Sequence, residues 1–342
     1  MQEPRTTGVL STHTLPLQAA AAREAAVRLR AGELVVLPTE TVYGLAANAL
    51  DPAAVARIFA VKNRPADNPV IVHVNSIGMA RDCAVDWPPL AESLARAFWP
   101  GPLTIVVRRA GRIPDIVTAG GPTVAVRWPA HPVIQAVIRE CGFPLAAPSA
   151  NLSTQLSPTT AAHVGSGLGG RVGLILDGGH CDVGIESTVV DVTSGRPVVL
   201  RPGMISEEAL AAVAGPGGGG EPAVDAPAVP RSPGQRFRHY APRARLEVRS
   251  WLDAADLLDQ LRGRGGRVES VAVLCHARIP PPEAGFLRVS VIPHDPVAYA
   301  RALYAELHQC DEAGAQEVIV ETPPVGPDWQ AIHDRLRRAA GR

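Results

Sequence analysis

The chain is 342 residues long, with zero formal net charge, 46% hydrophobic and 19% charged residues, a composition that suits one or two full cores and excludes a disordered chain. At roughly 100–200 residues per domain, the length predicts two domains. No apolar run approaches the ~18 residues of a membrane span. The amino terminus, with Glu3 and no apolar core before Ala19, does not read as a signal peptide, so the expected location is the cytoplasm.

The five cysteines stand at least 35 positions apart without a C-x-x-C pair, so neither a disulfide framework nor a zinc site is implied. Of the 33 basic residues only Lys62 is lysine; in a chain otherwise committed to arginine, that marks the position for inspection.

In chain order, Pro16–Gly32 reads as a helix closed by glycine and Glu33–Pro38 as a buried strand. Strands follow at 70–74, 103–108, 124–128, 144–147, 172–176, 187–192 and 197–201, with helices near 52–61, 89–98, 131–141, 158–164 and 206–213. Their continuous apolar strands predict a sheet covered on both faces, an α/β domain over 1–213. Residues 214–235, AGPGGGGEPAVDAPAVPRSPGQ, have almost nothing to pack, and the linker is drawn over 214–243. Beyond it, strands at 246–250, 268–275, 286–292 and 317–321 alternate with helices at 253–262, 296–310 and 327–339, a smaller α/β domain over 244–342.

Several motifs carry polar chemistry. Two G-x-G-x-x-G matches, at 165–170 and 215–220, lack the strand-then-helix context of a dinucleotide site, and no P-loop is present. In Pro38-Thr39-Glu40-Thr41-Val42-Tyr43-Gly44-Leu45, Thr39, Thr41 and Tyr43 share a face if the chain stays extended; the plain reading is a strand end. Lys62-Asn63-Arg64-Pro65 ends a helix, because proline pushes its predecessor out of the helical region. Lys as a point charge and Arg as a fork suit a polyphosphate; otherwise they are ordinary helix-end cations. His73 lies in an apolar strand, and Arg127, at the end of another, needs an anionic partner from the protein or from a substrate. Ser149-Ala150-Asn151 leaves an apolar strand, with Ser157-Pro158 next as a helix start. Asp177–Asp182 reads as a glycine turn rather than a metal loop. Glu186-Ser187-Thr188 opens a strand and Arg201 closes one. No acid occurs between Asp225 and Glu247, where Arg231, Arg236, Arg238, Arg243 and Arg245 form a basic strip.

Together, PTETVYGL, KNRP with NPVIVHV, WPGPLTIVV, VAVRWPAHP, APSAN, ESTVVD, LRPG and HYAP occur in an order that resembles the two-domain L-threonylcarbamoyladenylate synthases. The resemblance implies a YrdC-like twisted mixed sheet with flanking helices, then a smaller Rossmann-like α/β domain. It implies condensation of L-threonine, bicarbonate or CO₂, and ATP into threonylcarbamoyl-adenylate and pyrophosphate. The product would pass to downstream tRNA threonylcarbamoyl transferase proteins, with no membrane and no direct tRNA binding required. By matching positions, ATP is expected on Lys62, Arg64, Ser149 and Asn151, with Thr123, Ser157, Arg201 and Tyr240 nearby, and Lys62 and Arg64 are the expected catalytic cations. Threonine is expected at Thr39, His73, Arg127, Ser187 and the backbone of Ala147. Magnesium is expected to arrive on ATP rather than on protein ligands. The chain departs from the family at Gln235, where a methionine is expected. Two other readings compete: an RNA-binding module of the same fold, which neutrality disfavours, and a carbamoyl-transferring maturation enzyme, which the short, zinc-motif-free C-terminal part disfavours.

Overall fold

The computed structural model describes residues 6–215, 240–263 and 267–341. These divide into two compact units, one holding 6–153 and 157–215, the other 240–263 and 267–341 together with Thr154–Leu156. Most of the expected linker, its Gly217–Gly220 run, Gln235 and most of the basic strip lie outside the described residues.

The first unit is built on strands β1 (Gly8–Ser11), β2 (Val35–Leu37), β3 (Gly44–Asn48), β4 (Val72–His73), β5 (Leu103–Arg108), β6 (Thr123–Arg127), β7 (Leu145–Ala146), β8 (Leu174–Asp177), β9 (Thr188–Asp191) and β10 (Val198–Arg201). They form one ten-stranded sheet in the order β1-β8-β2-β3-β7-β4-β6-β5-β9-β10. The sheet is mixed: β4 runs parallel to β6, while β2–β3, β3–β7 and β5–β6 are antiparallel. Its helices are α1 (Leu15–Arg30), α2 (Pro52–Lys62), α3 (Ile77–Asp82), α4 (Pro89–Phe98), α5 (Asp115–Thr118), α6 (Pro132–Cys141), α7 (Ala161–Leu168) and α8 (Glu207–Ala214).

Successive strand side chains leave opposite faces, and here both faces are apolar. Val36, Leu45 and Ala47 join one core with Ala54, Val55 and Ile58 of α2 and Leu94 of α4. Val35, Leu37 and Ala46 join another with Ala25 and Leu29 of α1 and Ile134 and Val137 of α6. That two-sided burial is why the strands read as unbroken apolar runs rather than alternating ones.

Four elements escape the sequence reading: β1, β3, α3 and α5. β3, Gly-Leu-Ala-Ala-Asn, is rich in small residues and has weak strand character by composition. The helix expected at 158–164 begins at Ala161 instead, because the Thr160 hydroxyl accepts the His163 N–H and caps it there. Nor does 39–43 stay extended. The Thr39 Oγ1 accepts the N–H groups of Thr41 and Val42, bending the chain, and the Tyr43 side chain leaves the threonine hydroxyls for Gly179.

The second unit has four parallel strands, β11 (Arg245–Arg249), β12 (Val271–Cys275), β13 (Arg288–Val291) and β14 (Glu317–Glu321), in the order β11-β14-β12-β13. Helices α9 (Ala254–Arg262), α10 (Pro296–Glu312) and α11 (Gln330–Ala339) accompany them. Trp251, Leu257, Val273 and Ile319 fill its core. Burial pushes the pKa of Glu321, which closes β14, upward, but its carboxylate accepts the backbone N–H groups of Ala277, His276 and Arg278, and these together outweigh burial and hold the pKa below the usual carboxylate range.

Candidate active site

Helix α2 sets the first element of the site. The Asp51 carboxylate caps it by accepting the Ala53 N–H at 2.9 Å, and Asn63 ends it in the left-handed conformation at φ 51°. The stop therefore precedes the restriction imposed by Pro65. The buried stripe of α2 runs Ala54, Val55, Ile58, Lys62, so the lysine falls on the core-facing side at i, i+4 spacing. Lys62 is 1% exposed rather than a surface cation at a helix end. Its Nζ donates to the carbonyls of Ser149 and Asn151, each at 2.5 Å, and reaches Asn151 Oδ1 at 3.3 Å. In return the Lys62 carbonyl accepts the Ser153 N–H at 2.8 Å, which clamps the APSAN loop to the end of α2. Ser149 Oγ donates to Asn151 Oδ1 at 2.6 Å. Burial first, and the neighbouring Arg64 second, hold Lys62 well below its ordinary pKa. Arg64, also buried, anchors on the 68–69 turn through the Asn68 carbonyl at 2.9 Å, Asn68 Oδ1 at 2.7 Å and the Pro69 carbonyl at 2.6 Å.

A second cluster surrounds Arg127. Its Nη1 donates to Thr41 Oγ1 at 2.9 Å, its Nε to the Gly101 carbonyl at 3.2 Å, and its Nη2 lies 2.7 Å from Glu40 Oε1. Thr39 and Thr41 join through their hydroxyls at 2.9 Å. His73 pairs with Arg127 in the β4–β6 register. Burial, and then Arg127, hold its pKa down at about 3, so it is neutral at physiological pH.

A third cluster gathers Ser157, Glu186, Ser187 and Arg201. Ser157 Oγ donates to Glu186 Oε1 at 2.5 Å, and Ser187 Oγ shares a hydrogen bond with Thr104 at 2.7 Å. Arg201 Nη2 donates to Ser187 Oγ at 3.1 Å and to its carbonyl at 3.0 Å. Gly203 lets this approach happen: a Cβ there would meet the Thr188 nitrogen at 2.3 Å.

Tyr43 ties the clusters together. Its N–H donates to the Pro158 carbonyl, its own carbonyl accepts the Ala150 N–H, and its phenol donates to the Gly179 carbonyl at 2.7 Å. The Gly101-Pro102 step joins the other two, since Gly101 accepts from Arg127 and Pro102 from the Thr188 N–H. Ala147 is buried, and its N–H donates to the Ile71 carbonyl. Thr123 opens β6, four residues from Arg127; at ~3.3 Å per residue it stands about 13 Å along the strand from the Arg127 cluster. Tyr240 belongs to the second unit, where it is buried in the left-handed region at φ 62° with the Arg335 guanidinium 5.3 Å from its ring centre. Sequence reasoning missed Glu40, Thr104 and Glu186 as members of the site, and it set Tyr43 on the face of Thr39 and Thr41, whereas its phenol turns to Gly179. An acid framed by two threonines was the available signal for Glu40; Thr104, inside an apolar strand, offered none.

The three clusters bring fixed cations and hydroxyls together with two carboxylates, Glu40 and Glu186, and the cations and hydroxyls suit phosphate and carboxylate oxygens. Residues 27–203 match the family described as Sua5_yciO_yrdC, telomere recombination, and residues 205–341 match Sua5_C, the threonylcarbamoyl-AMP synthase C-terminal domain. The chain is 40% identical over 333 residues to the threonylcarbamoyl-AMP synthase of Pyrococcus abyssi, covering 93% of this chain and 94% of that one. It is 40% identical over 320 residues to that of Bacillus subtilis, covering 93% and 92%. A solved structure of P. abyssi Sua5 complexed with L-threonine superposes with a TM-score of 0.87 at 36% identity, covering 98% of each chain. Two family matches laid end to end and two long relatives agree: this chain is a member of the two-domain threonylcarbamoyl-AMP synthase family of enzymes.

Proposed function

We propose that the enzyme condenses L-threonine, bicarbonate or CO₂, and ATP into threonylcarbamoyl-AMP and pyrophosphate, an adenylyl transfer carried out in the cytoplasm. The observation that carries this reading is the burial of the chain's one lysine, Lys62, against the Ser149–Asn151 loop, beside Arg64. Burial, with Arg64 second, disfavours the charged form of Lys62 in the free protein, and phosphate negative charge offsets that cost, which concentrates its attraction on the nucleotide.

Once the threonine nitrogen carries a carboxyl group, a carbamate oxygen attacks the α-phosphorus in line and pyrophosphate leaves. The step needs no covalent enzyme nucleophile. It needs alignment and positive charge against the developing phosphate charge, roles assigned to Lys62, Arg64 and Arg201, with Ser149, Asn151 and Ser157 orienting the nucleotide. Thr123 and Tyr240 are assigned to further nucleotide contacts. Arg127 takes the threonine carboxylate, and Thr39 and Ser187 read the side-chain hydroxyl, with His73 and the Ala147 backbone completing that wall. A magnesium ion on the triphosphate would neutralise charge there, beside the cations assigned to the phosphates. The product then passes to tRNA threonylcarbamoyl transferase proteins.

The test follows pyrophosphate from enzyme, ATP, magnesium and bicarbonate with threonine, with serine, or with neither. Release that depends on threonine, and falls with serine, is expected. Release indifferent to the amino acid would overturn the reading.

A further inference from the structure

Three buried groups in the Arg127 cluster have hydrogen-bonding capacity left over: Glu40, Arg127 at Nη2 and His73 at Nδ1, of which the first two carry opposite charges. Glu40 is 6% exposed, yet neither of its carboxylate oxygens receives an aligned hydrogen bond, although Arg127 Nη2 lies 2.7 Å away. The same Nη2 has no aligned acceptor. Proximity without alignment leaves each charge compensated electrostatically but not saturated, and a buried charged group short of partners is destabilising. An anion lacking donors beside a cation lacking an acceptor is complementary to a zwitterion: the carboxylate of an amino acid fits the guanidinium, and its ammonium fits the carboxylate.

We infer that Glu40 receives the ammonium of the bound amino acid and takes the proton it must lose before its nitrogen can be carboxylated. This rests on the reading given under Proposed function, and it adds a residue to it. The ammonium passes one N–H proton to a Glu40 carboxylate oxygen, which frees the nitrogen lone pair. That pair forms the N–C bond with bicarbonate, the C–OH bond breaks, and hydroxide leaves as water with a second nitrogen proton. With CO₂ as the carbon source, the second proton passes to solvent. Glu40 returns its proton to solvent before the next turnover.

The neighbouring titratable groups are chemically unsuited to this work. Burial, and then Arg127, hold His73 at about 3, because taking a proton would create a second buried cation beside the guanidinium, whereas a carboxylate that takes one becomes neutral. Burial pushes the Cys181 thiol up, with the Glu40 charge adding to the shift, so it stays protonated. His131 is held down by burial, and its Nδ1 already accepts the Val133 N–H as a helix cap. Arg127 has no proton to exchange and serves instead to hold the amino acid by its carboxylate.

Glu40→Gln keeps the shape and deletes the proton acceptor. Turnover of threonine-dependent pyrophosphate release is measured at saturating ATP from about pH 6.5 to about pH 9 for wild type, Glu40→Gln and Glu40→Asp, with melting temperatures as folding controls. Near pH 7 the Gln variant should be slower by on the order of 10²–10⁴-fold. Its deficit should shrink roughly tenfold per pH unit, because solution then supplies the free amine that the variant cannot make. Glu40→Asp, which retains a retracted carboxylate, should be slowed while keeping the wild-type pH slope; this arm still reads if the Gln variant fails to fold. A Gln deficit that stays constant with pH, or an Asp variant rescued by alkali as the Gln variant should be, would overturn the assignment of Glu40 alone. A wild-type enzyme without threonine-dependent release would remove the underlying reading, and Glu40 with it.

Discussion

Replacing Lys62 by methionine keeps an apolar stem in the α2 stripe and removes only the charged head. As a plain cation at a helix end it would contribute about 0.3–1 kcal/mol. The structure gives a larger figure. Nζ holds two loop carbonyls at 2.5 Å, and charge-assisted bonds contribute about 1.5–3 kcal/mol each. Against that gross gain of about 3–6 kcal/mol stands the desolvation that pushes Lys62 well below its usual pKa and is relieved in the variant. The net loss expected is about 1–3 kcal/mol. For a unit of this size, 1 kcal/mol moves the melting temperature by about 2–4 °C, so a fall of about 2–12 °C is predicted in calorimetry. Turnover should fall by at least on the order of 10²-fold, the scale seen when one preorganised electrostatic donor is removed. The pH dependence carries a sign. Lys62 releases its proton in the folded state below the ordinary 10.5, so between the two values the unfolded chain binds more protons and stability rises with pH. Lys62→Met should lose that rise. A variant that melts and turns over like wild type would refute both the clamp and the phosphate assignment.

Two further outcomes follow from the same clusters. His73 titrates at about 3 when folded and 6.5 when unfolded, so as pH falls through that window the unfolded chain takes the proton first and stability drops by roughly 3–5 kcal/mol; His73→Gln should flatten this acid limb in pH-dependent denaturant melts. Gly203→Ala would drive a Cβ to 2.3 Å from the Thr188 nitrogen and 2.7 Å from the Ser187 carbonyl carbon, so it should cost about 1–3 kcal/mol in denaturant unfolding and raise the KM for threonine.

The long apolar strands and their flanking helices were legible because two-sided burial writes itself into sequence as unbroken hydrophobic runs. β5 begins and ends where its run does, at Leu103 and Arg108. β3 was not legible, because small residues at 44–48 owe their strand state to pairing with Val35–Leu37 rather than to their own propensity. The site was legible at Lys62, where composition singled out the residue, while its place on the buried stripe of α2 came from the structure. It was not legible at Glu40. Whether an acid framed by threonines lies in solvent or against a guanidinium 87 positions away depends on the bend that Thr39 imposes, and that bend comes from side-chain hydrogen bonds that period-two reading ignores. Ser187 and Arg201 were visible as separate strand ends. Their contact depends on the β9–β10 pairing and on the missing side chain of Gly203.

The most direct measurement is a crystal structure of the full chain with L-threonine and a non-hydrolysable ATP analogue bound together. The amino acid's carboxylate should sit on Arg127 with its nitrogen toward Glu40, and the triphosphate should run past Lys62 and Arg64 so that the α-phosphorus faces the amino acid. Density for either ligand outside the first unit, or a triphosphate that leaves Lys62 untouched against the Ser149 and Asn151 carbonyls, would contradict the account.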